Sequence, residues 1–165
     1  MTAQEQEWFC RECAAHKSGM LLVAGGILKN EADVQDAVQD ALIAAYENLE
    51  QLKNRDKFRP WLYRILTNAC FARLRDRRRE VALDEETLPP AAAPDSPDPE
   101  ERLTVWNTVQ QMPPDYRTVV ILFYYEDMPI REIAAALGLS RDTVKKRLQR
   151  AREQLRVLLE KEGFR

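Results

Sequence analysis

Two apolar helical patterns meet at a glycine in residues 130–152, IREIAAALGLSRDTVKKRLQRAR. The first pattern ends at Leu137, and Gly138 permits the tight turn that follows. Ser140 is a good N-cap for the second helix, because its hydroxyl can accept a hydrogen bond from a backbone N–H of the first turn. This order of helix, glycine turn and capped helix predicts a helix-turn-helix unit.

The second helix of this unit has an apolar seam on one side and long polar side chains on the other. A recognition helix needs such a seam to fix it on its scaffold, and donors opposite for phosphates and the base edges of the major groove. An ordinary helical hairpin with a basic face is the alternative interpretation. The seam consists of Val144, Leu148, Ala151, Leu155 and Leu158, and the candidate DNA-contacting residues are Arg141, Thr143, Lys145, Lys146, Gln149 and Arg150.

Helical patterns also cover the rest of the chain outside residues 81–101. Val34, Ala37, Val38, Ala41, Ala45 and Leu49 recur at helical spacing. Pro60 suits a first helical turn, and the glycines in Ala24-Gly25-Gly26 are expected to weaken the first helix. Because no segment shows sustained strand alternation, the predicted fold class is all-α.

The charged residues are grouped into basic and acidic blocks along the sequence, which the net charge does not show. The 165 residues carry a formal net charge of −2, which suggests no affinity for nucleic acid. Residues 53–80, however, hold 10 basic and 3 acidic side chains, and residues 131–165 hold 10 and 5. Two basic blocks are the electrostatic footprint of a polyanion partner, although solvated helix faces are the simpler alternative.

Between the basic blocks, residues 81–101 hold five of the nine prolines and seven acidic residues. Such a segment cannot bury a core, so it is expected to link two units. The predicted organisation is two small helical domains, residues 1–80 and 101–165, joined by a flexible, Pro-rich acidic linker at 81–100.

Other classes of protein are disfavoured by the composition. No apolar run is long enough to cross a bilayer, the N-terminus lacks the pattern of a signal peptide, and three cysteines suit a reducing compartment, so a cytoplasmic location is expected. There is no Gly-rich phosphate loop and no Ser/His/Asp set, so neither an enzyme nor a cofactor is predicted. Cys10, Cys13 and His16 leave open a metal or redox role, although three ligands on one helix lack a fourth and no metal site is predicted.

These motifs resemble the extracytoplasmic-function (ECF, group IV) sigma factors of bacterial RNA polymerase, in the sigma-70 family. The strings MPPDYRTV (112–119), REIA (131–134), LGLS (137–140) and TVK (143–145), with Arg147-Leu148 and RAR (150–152), are similar to that family's region 4. The strings DAVQDA (36–41) and FRPWLYRILTN (58–68) are similar to its region 2. The resemblance extends from about Phe9 to Leu159 and is most specific in region 2.

The resemblance implies a sigma factor that binds core RNA polymerase and directs promoter-specific initiation by recognising −10 and −35 elements. The implied partners are the polymerase β′ clamp helices and β flap, promoter DNA and a cognate anti-sigma factor, with no membrane contact except through the anti-sigma factor. Two alternatives stay open: a sigma-like decoy that binds an anti-sigma factor without initiating, and a lone helix-turn-helix regulator. The strongly basic faces favour a working initiation factor.

The resemblance also assigns roles to residues of this sequence. Core polymerase binding is expected at Asp36, Gln39, Asp40, Leu42, Ile43, Tyr46 and Glu47. Opening and holding the −10 element as a single strand is expected of Leu52, Lys53, Asn54, Arg55, Arg59, Trp61, Arg64, Asn68, Phe71 and Arg75. Binding of the −35 element is expected of Ser140, Arg141, Thr143, Lys145, Lys146, Gln149 and Arg150.

Overall fold

The computed structural model describes residues 1–81 and 99–163, and most of these residues are helical. Seven α-helices follow one another: α1 (Ala3–Leu28), α2 (Glu31–Glu47), α3 (Phe58–Val81), α4 (Pro99–Gln110), α5 (Pro114–Val120), α6 (Ile130–Leu137) and α7 (Arg141–Lys161). Two short 3₁₀ turns, Leu49–Gln51 and Arg55–Lys57, join α2 to α3, and a π-helical turn, Ile121–Tyr125, continues α5. No strand occurs in the two described ranges, which confirms the all-α prediction.

Nearly all of the predicted linker lies outside the described residues. Within 1–81 and 99–163, no helix is both long enough and apolar enough to cross a membrane.

Local signals set the ends of the first two helices. The Thr2 hydroxyl accepts a hydrogen bond from the Glu5 N–H at 3.1 Å, and the Glu5 carboxylate accepts one from the Thr2 N–H at 2.8 Å, forming a capping box at the start of α1. At the other end, Lys29 adopts a left-handed conformation with φ of 62°. Asn30 then begins α2 by accepting a hydrogen bond from the Asp33 N–H at 3.0 Å. The chain therefore reverses within two residues.

The first three helices pack around a shared apolar core. The predicted stripe of α2 is buried at Val34, Ala37, Val38, Ala41 and Ala45. It meets side chains from the two other helices, among them Met20, Val23, Ile27, Phe58, Leu62 and Leu66. Burying an amphipathic stripe of this kind fixes which face of α3 turns to the outside.

The last four helices contain the predicted helix-turn-helix. Gly138 has φ of 66° at the end of α6, a conformation that glycine adopts without strain. The Ser140 hydroxyl accepts a hydrogen bond from the Thr143 N–H at 3.1 Å and so caps α7. Val144 and Leu148 of α7 are buried, as the seam predicts. The helix-turn-helix prediction is confirmed.

The helices before and after the linker also pack against each other. Helix α6 lies on α3, α5 lies on α1, and the buried apolar side chains form one continuous cluster. A Cβ atom at Gly26 would lie 2.1 Å from Cδ1 of Ile121. The glycine that was expected to weaken α1 is thus buried in an unbroken helix, where its missing side chain admits Ile121.

Replacing Leu66, which is fully buried in α3, with alanine tests this core. The Leu66→Ala variant is expected to lose about 2–5 kcal/mol of unfolding free energy, because it forfeits apolar burial and leaves a cavity. Urea denaturation followed by circular dichroism measures the change. Val157→Ala, at a side chain 45% exposed, is the control and is expected to shift stability by less than about 0.5 kcal/mol. Equal losses in the two variants would contradict the core assigned here.

Candidate nucleic-acid interface

The predicted −35 residues come together on one exposed face of α7. Their side chains lie opposite the buried seam, and Thr143 alone is half-buried, beside its hydrogen-bond partner Ser140. In the described ranges no ion pair neutralises the cations of this face. The exposed members are Ser140, Arg141, Lys145, Lys146, Gln149 and Arg150. Arg147 instead turns inward and reaches Asp115 of α5 at 3.9 Å.

The predicted polymerase-binding residues share the outer face of α2. Asp36, Gln39, Asp40, Ile43, Tyr46 and Glu47 are exposed, and Leu42 is half-buried. Ile43 and Tyr46 stand out, because these large apolar side chains are 50% and 46% exposed. The face therefore has an apolar centre with carboxylates around it.

Two carboxylates of this face are already paired with α3. Arg73 donates a hydrogen bond to Asp40 at 2.6 Å and lies 4.0 Å from Asp36. One turn further along α3, Arg77 makes a two-pronged contact with Asp33 at 2.6 and 3.2 Å. These pairs fix α2 on α3, a structural role that the sequence pattern did not reveal.

The predicted −10 residues fall into two groups. The first is the loop before α3, where Lys53, Asn54 and Arg55 are exposed, Leu52 is half-buried and Asn54 caps the turn by accepting the Asp56 N–H at 3.0 Å. The second lies along α3, with Arg64, Asn68 and Arg75 exposed and Arg59, Trp61 and Phe71 half-buried.

A cavity of about 550 Å³ opens between the loop group and the start of α1. Its walls are Met1, Glu5, Trp8, Tyr46, Glu47, Leu49, Glu50, Leu52 and Arg55. The Arg55 guanidinium lies 4.7 Å from the centre of the Trp8 ring, and Trp8 packs edge-on against Phe58. Sequence reasoning missed Trp8. The sequence places Trp8 directly beside Phe9, and this position could have indicated its role. Phe9 is buried in the core, so the larger Trp8 ring lies half-buried at the edge of the helix.

The α3 group faces helices from the other end of the chain. The Thr67 hydroxyl donates to the Ala136 carbonyl at 3.2 Å, and the Tyr63 hydroxyl donates to Glu126 at 2.8 Å. Arg59 donates to Glu132 of α6 at 3.2 Å. A cleft of about 270 Å³ separates the two sides, lined by Thr67, Asn68, Phe71, Arg75, Asp115, Thr118, Leu137, Leu139 and Arg147. The predicted −10 face is therefore shared with α6.

A buried arginine joins α5 to the end of α1. Arg117 donates to the carbonyls of Gly26, Ile27 and Met112, and burial lowers its pKa to about 10. Lys29 donates to the Gln110 carbonyl beside it, and burial also lowers the pKa of this lysine. Backbone carbonyls at the negative end of the α1 dipole thus take the place of a carboxylate partner.

The three cysteine residues differ in their exposure to solvent. Cys10 is exposed, whereas burial raises the pKa of Cys13 to about 11 and that of Cys70 to about 12. His16 lies 3.6 Å from Glu12 and packs against the Phe58 ring. Among the residues that the structure describes, no three potential metal ligands cluster.

Comparison with known families matches both ends of the chain. Residues 14–80 match the sigma-70 region 2 family, and residues 102–155 match the sigma-70 region 4 family. The RNA polymerase sigma factor SigV of Bacillus subtilis is 30% identical over 149 residues, covering 90% of this chain and 89% of the relative. The ECF RNA polymerase sigma factor SigW of Bacillus subtilis is 32% identical over 169 residues, covering 94% of this chain and 90% of the relative.

Solved structures share the same arrangement of helices. One is the sigma factor RpoE in complex with the anti-sigma factor NepR from Bartonella quintana, with a TM-score of 0.77, 23% identity and coverage of 92% of this chain and 96% of that one. Another is CnrH in complex with the cytosolic domain of CnrY, with a TM-score of 0.68, 29% identity and coverage of 94% and 89%. Because both sigma-70 regions match and the two relatives align over nearly their whole length, the chain belongs to the ECF sigma factors of the sigma-70 family, which direct promoter-specific transcription by RNA polymerase.

Proposed function

We propose that three surfaces divide the work of this sigma factor: α2 binds the core polymerase, the loop 52–55 with α3 holds the −10 single strand, and α7 reads the −35 duplex. The observation that carries the proposal is the basic face of α7, which no ion pair neutralises in the described ranges and which lies opposite the buried residues Val144, Leu148 and Ala151. Transcription by bacterial core polymerase on a promoter library tests the whole proposal. The chain is expected to stimulate initiation at a subset of promoters. A chain that binds an anti-sigma factor but stimulates no promoter would instead be a decoy.

The −35 assignment is supported by the geometry of the capped helix. Ser140 fixes the start of α7, so the next two exposed turns present their long donors in one direction. Lys146 and Arg150 are four positions apart in the sequence and therefore lie on one stripe of the helix. Side chains in this arrangement can reach guanine acceptors and phosphates of the major groove together.

Removing both cations in the Lys146→Ala, Arg150→Ala double variant is expected to lower transcription from −35-dependent promoters by about 100-fold, because each base or phosphate contact contributes about 1–3 kcal/mol. Run-off transcription measures this. The Arg156→Ala, Lys161→Ala variant removes the same charge from the exposed end of α7 and is expected to stay near wild type. A parallel loss of core binding in the first variant would overturn this division of roles.

The polymerase-binding assignment is supported by the exposed apolar pair on α2. Ile43 and Tyr46 are three positions apart on the helix and form one patch, with Asp36, Gln39, Asp40 and Glu47 around it. An apolar centre with a charged rim is the usual composition of a protein interface. A helical, basic partner surface complements it, and we assign that partner to the β′ clamp helices.

The Ile43→Arg variant is expected to weaken core binding by about tenfold or more, because a charge replaces the centre of the apolar patch. A fluorescence-anisotropy titration with core polymerase measures the dissociation constant. Arg73→Ala is the control: it releases Asp40 from its ion pair but leaves the patch intact, so core binding is expected to persist. If Arg73→Ala is as damaging as Ile43→Arg, the interaction depends on the α2–α3 contact and not on the patch.

The cavity beside the loop supports a place for one unstacked base of the −10 element. Trp8 offers an aromatic face, and Arg55 lies over that face where a base could replace it. The carboxylates of Glu5, Glu47 and Glu50 line the same cavity and can accept hydrogen bonds from an exocyclic amine. Adenine and cytosine carry such an amine, so we propose that the cavity prefers these bases.

Replacing Trp8 by alanine is expected to lower the affinity of the holoenzyme for a −10 single strand by about tenfold, since one stacked base contributes about 1–3 kcal/mol. The base is located by measuring, with anisotropy, the affinity for strands that carry an abasic site at each position in turn. At the position of the bound base, Trp8→Ala is expected to cause no further loss of affinity. Trp8→Phe keeps an aromatic face and is expected to retain most of the affinity. A loss that is the same for every abasic strand would remove Trp8 from base recognition.

The remaining parts of the proposal concern partners and placement. The RpoE relative was solved with an anti-sigma factor, which supports an anti-sigma partner for this chain, and we add the β flap as the partner of residues 101–165. We place the chain in group IV, with residues 1–80 and 101–165 as its two domains and the cytoplasm as its location. The sigma family regulates a polymerase and is not catalytic, and we assign no catalytic residue here.

A further inference from the structure

We propose that Asp142 of α7 is a specificity-determining residue that accepts a hydrogen bond from a cytosine amine in the major groove of the −35 element. The inference rests on the −35 role proposed above for α7. It deepens that role, because the cations of α7 account for affinity to DNA in general, whereas Asp142 selects the base at one position.

Asp142 lies on the side of α7 directly opposite its buried seam. The seam runs through Val144 and Leu148, and Asp142 and Lys146 repeat its four-residue spacing two positions earlier. Because an α-helix turns by about 100° per residue, a shift of two positions moves the stripe to the opposite side of the helix. Asp142 and Lys146 are both exposed. Asp142 therefore belongs to the stripe that faces away from the scaffold, at the centre of the predicted −35 face.

The position of Asp142 along α7 is also the one that reaches base edges. Ser140 caps the helix by accepting a hydrogen bond from the Thr143 N–H at 3.1 Å, so Asp142 lies in the first turn. In a helix-turn-helix, the N-terminal residues of the recognition helix contact the base edges in the major groove. Sequence analysis assigned Asp142 no role, although it lies between two predicted DNA contacts, Arg141 and Thr143.

The Asp142 carboxylate forms no ion pair in the part of the chain that the structure describes. Lys145 and Lys146 lie within about one helical turn of it, yet neither is paired with it. By contrast, Asp115 beside this face lies 3.9 Å from Arg147. A negative charge at the centre of a phosphate-binding face lowers its affinity for DNA in general. A contact that only the complex supplies, with a hydrogen-bond donor of a base, offsets this loss.

The chemistry of the base edges identifies cytosine as the base that this carboxylate selects. In the major groove, guanine presents N7 and O6 and thymine presents O4, and all three are acceptors that repel an ionised carboxylate. Adenine presents its N6 amine beside the N7 acceptor, whereas cytosine presents its N4 amine without a neighbouring acceptor on the same base. Asp142 therefore favours cytosine by a hydrogen bond and disfavours guanine and thymine by repulsion.

Base preferences of the holoenzyme test the inference. A promoter library with all four bases at each −35 position is transcribed with bacterial core polymerase, and sequencing of the transcripts gives the preference at each position. The wild type is expected to favour cytosine at one position by about tenfold. Asp142→Ala is expected to reduce this preference to less than about twofold, mainly because guanine and thymine are then admitted.

The geometry of α7 also predicts where this position lies. Four residues of an α-helix rise by about 6 Å, and successive base pairs are about 3.4 Å apart. The cytosine is therefore expected about one or two base pairs from the position whose preference changes in Lys146→Ala.

Two further variants sharpen the test. Asp142→Asn has nearly the same size, and its amide both donates and accepts, so the preference is expected to shift from cytosine to adenine at the same position. This shift keeps the test valid if Asp142→Ala is unstable. Glu153→Ala removes an exposed carboxylate from the same stripe, about three turns further along α7, and is expected to leave every base preference unchanged.

A carboxylate in the first turn also stabilises a helix through its dipole, and the same experiment separates that role. If it is the only role, Asp142→Ala lowers the melting temperature measured by circular dichroism and weakens all promoters by one factor, which would overturn the inference. A wild type with −35 preferences but none for cytosine, or a cytosine preference that survives Asp142→Ala, would also overturn it. A wild-type holoenzyme without any preference at −35 positions would instead overturn the proposed role of α7 itself.

Discussion

The structure depends on the burial of one stripe of α3. Phe58, Leu62 and Leu66 are almost fully buried against α1 and α2, and this burial fixes the rotation of the helix about its axis. The cations of the following turns then have fixed places: Arg73 and Arg77 hold the acidic side of α2, whereas Arg64 and Arg75 remain exposed. A single apolar stripe thus separates the arginines that stabilise the fold from those available to DNA.

The same principle explains why a chain with a net charge of −2 can bind a polyanion. The acidic residues of α2 lie on a surface proposed for a protein partner, and two of them are partly neutralised by Arg73. On α7 the cations of the predicted −35 face lie opposite the buried residues Val144, Leu148 and Ala151, and these cations form no ion pair in the described ranges. Local fields at each surface, not the total charge, decide which partner it attracts.

The sequence predicted features that local physics determines. The capping role of Ser140 and the turn at Gly138 depend on residues within a few positions, and the buried stripes of α2 and α7 depend on helical period. Contacts between distant segments, such as Thr67 with Ala136 or Arg117 with Gly26, could not be predicted, because periodicity shows that a face is buried but not what buries it. For that reason Gly26 was interpreted as a weak point of α1, the ion pair between Asp40 and Arg73 was not predicted, and Trp8 was overlooked.

In the proposed division of roles, one chain uses α3 for the −10 strand and α7 for the −35 duplex. An electron cryomicroscopy structure of the holoenzyme in an open promoter complex would show both DNA contacts at once. We expect the single strand to lie along Arg64 and Asn68 of α3, and α7 to lie in the major groove of the −35 element. A structure in which the −10 strand binds away from α3, or in which α7 lies outside the major groove, would contradict this division of roles.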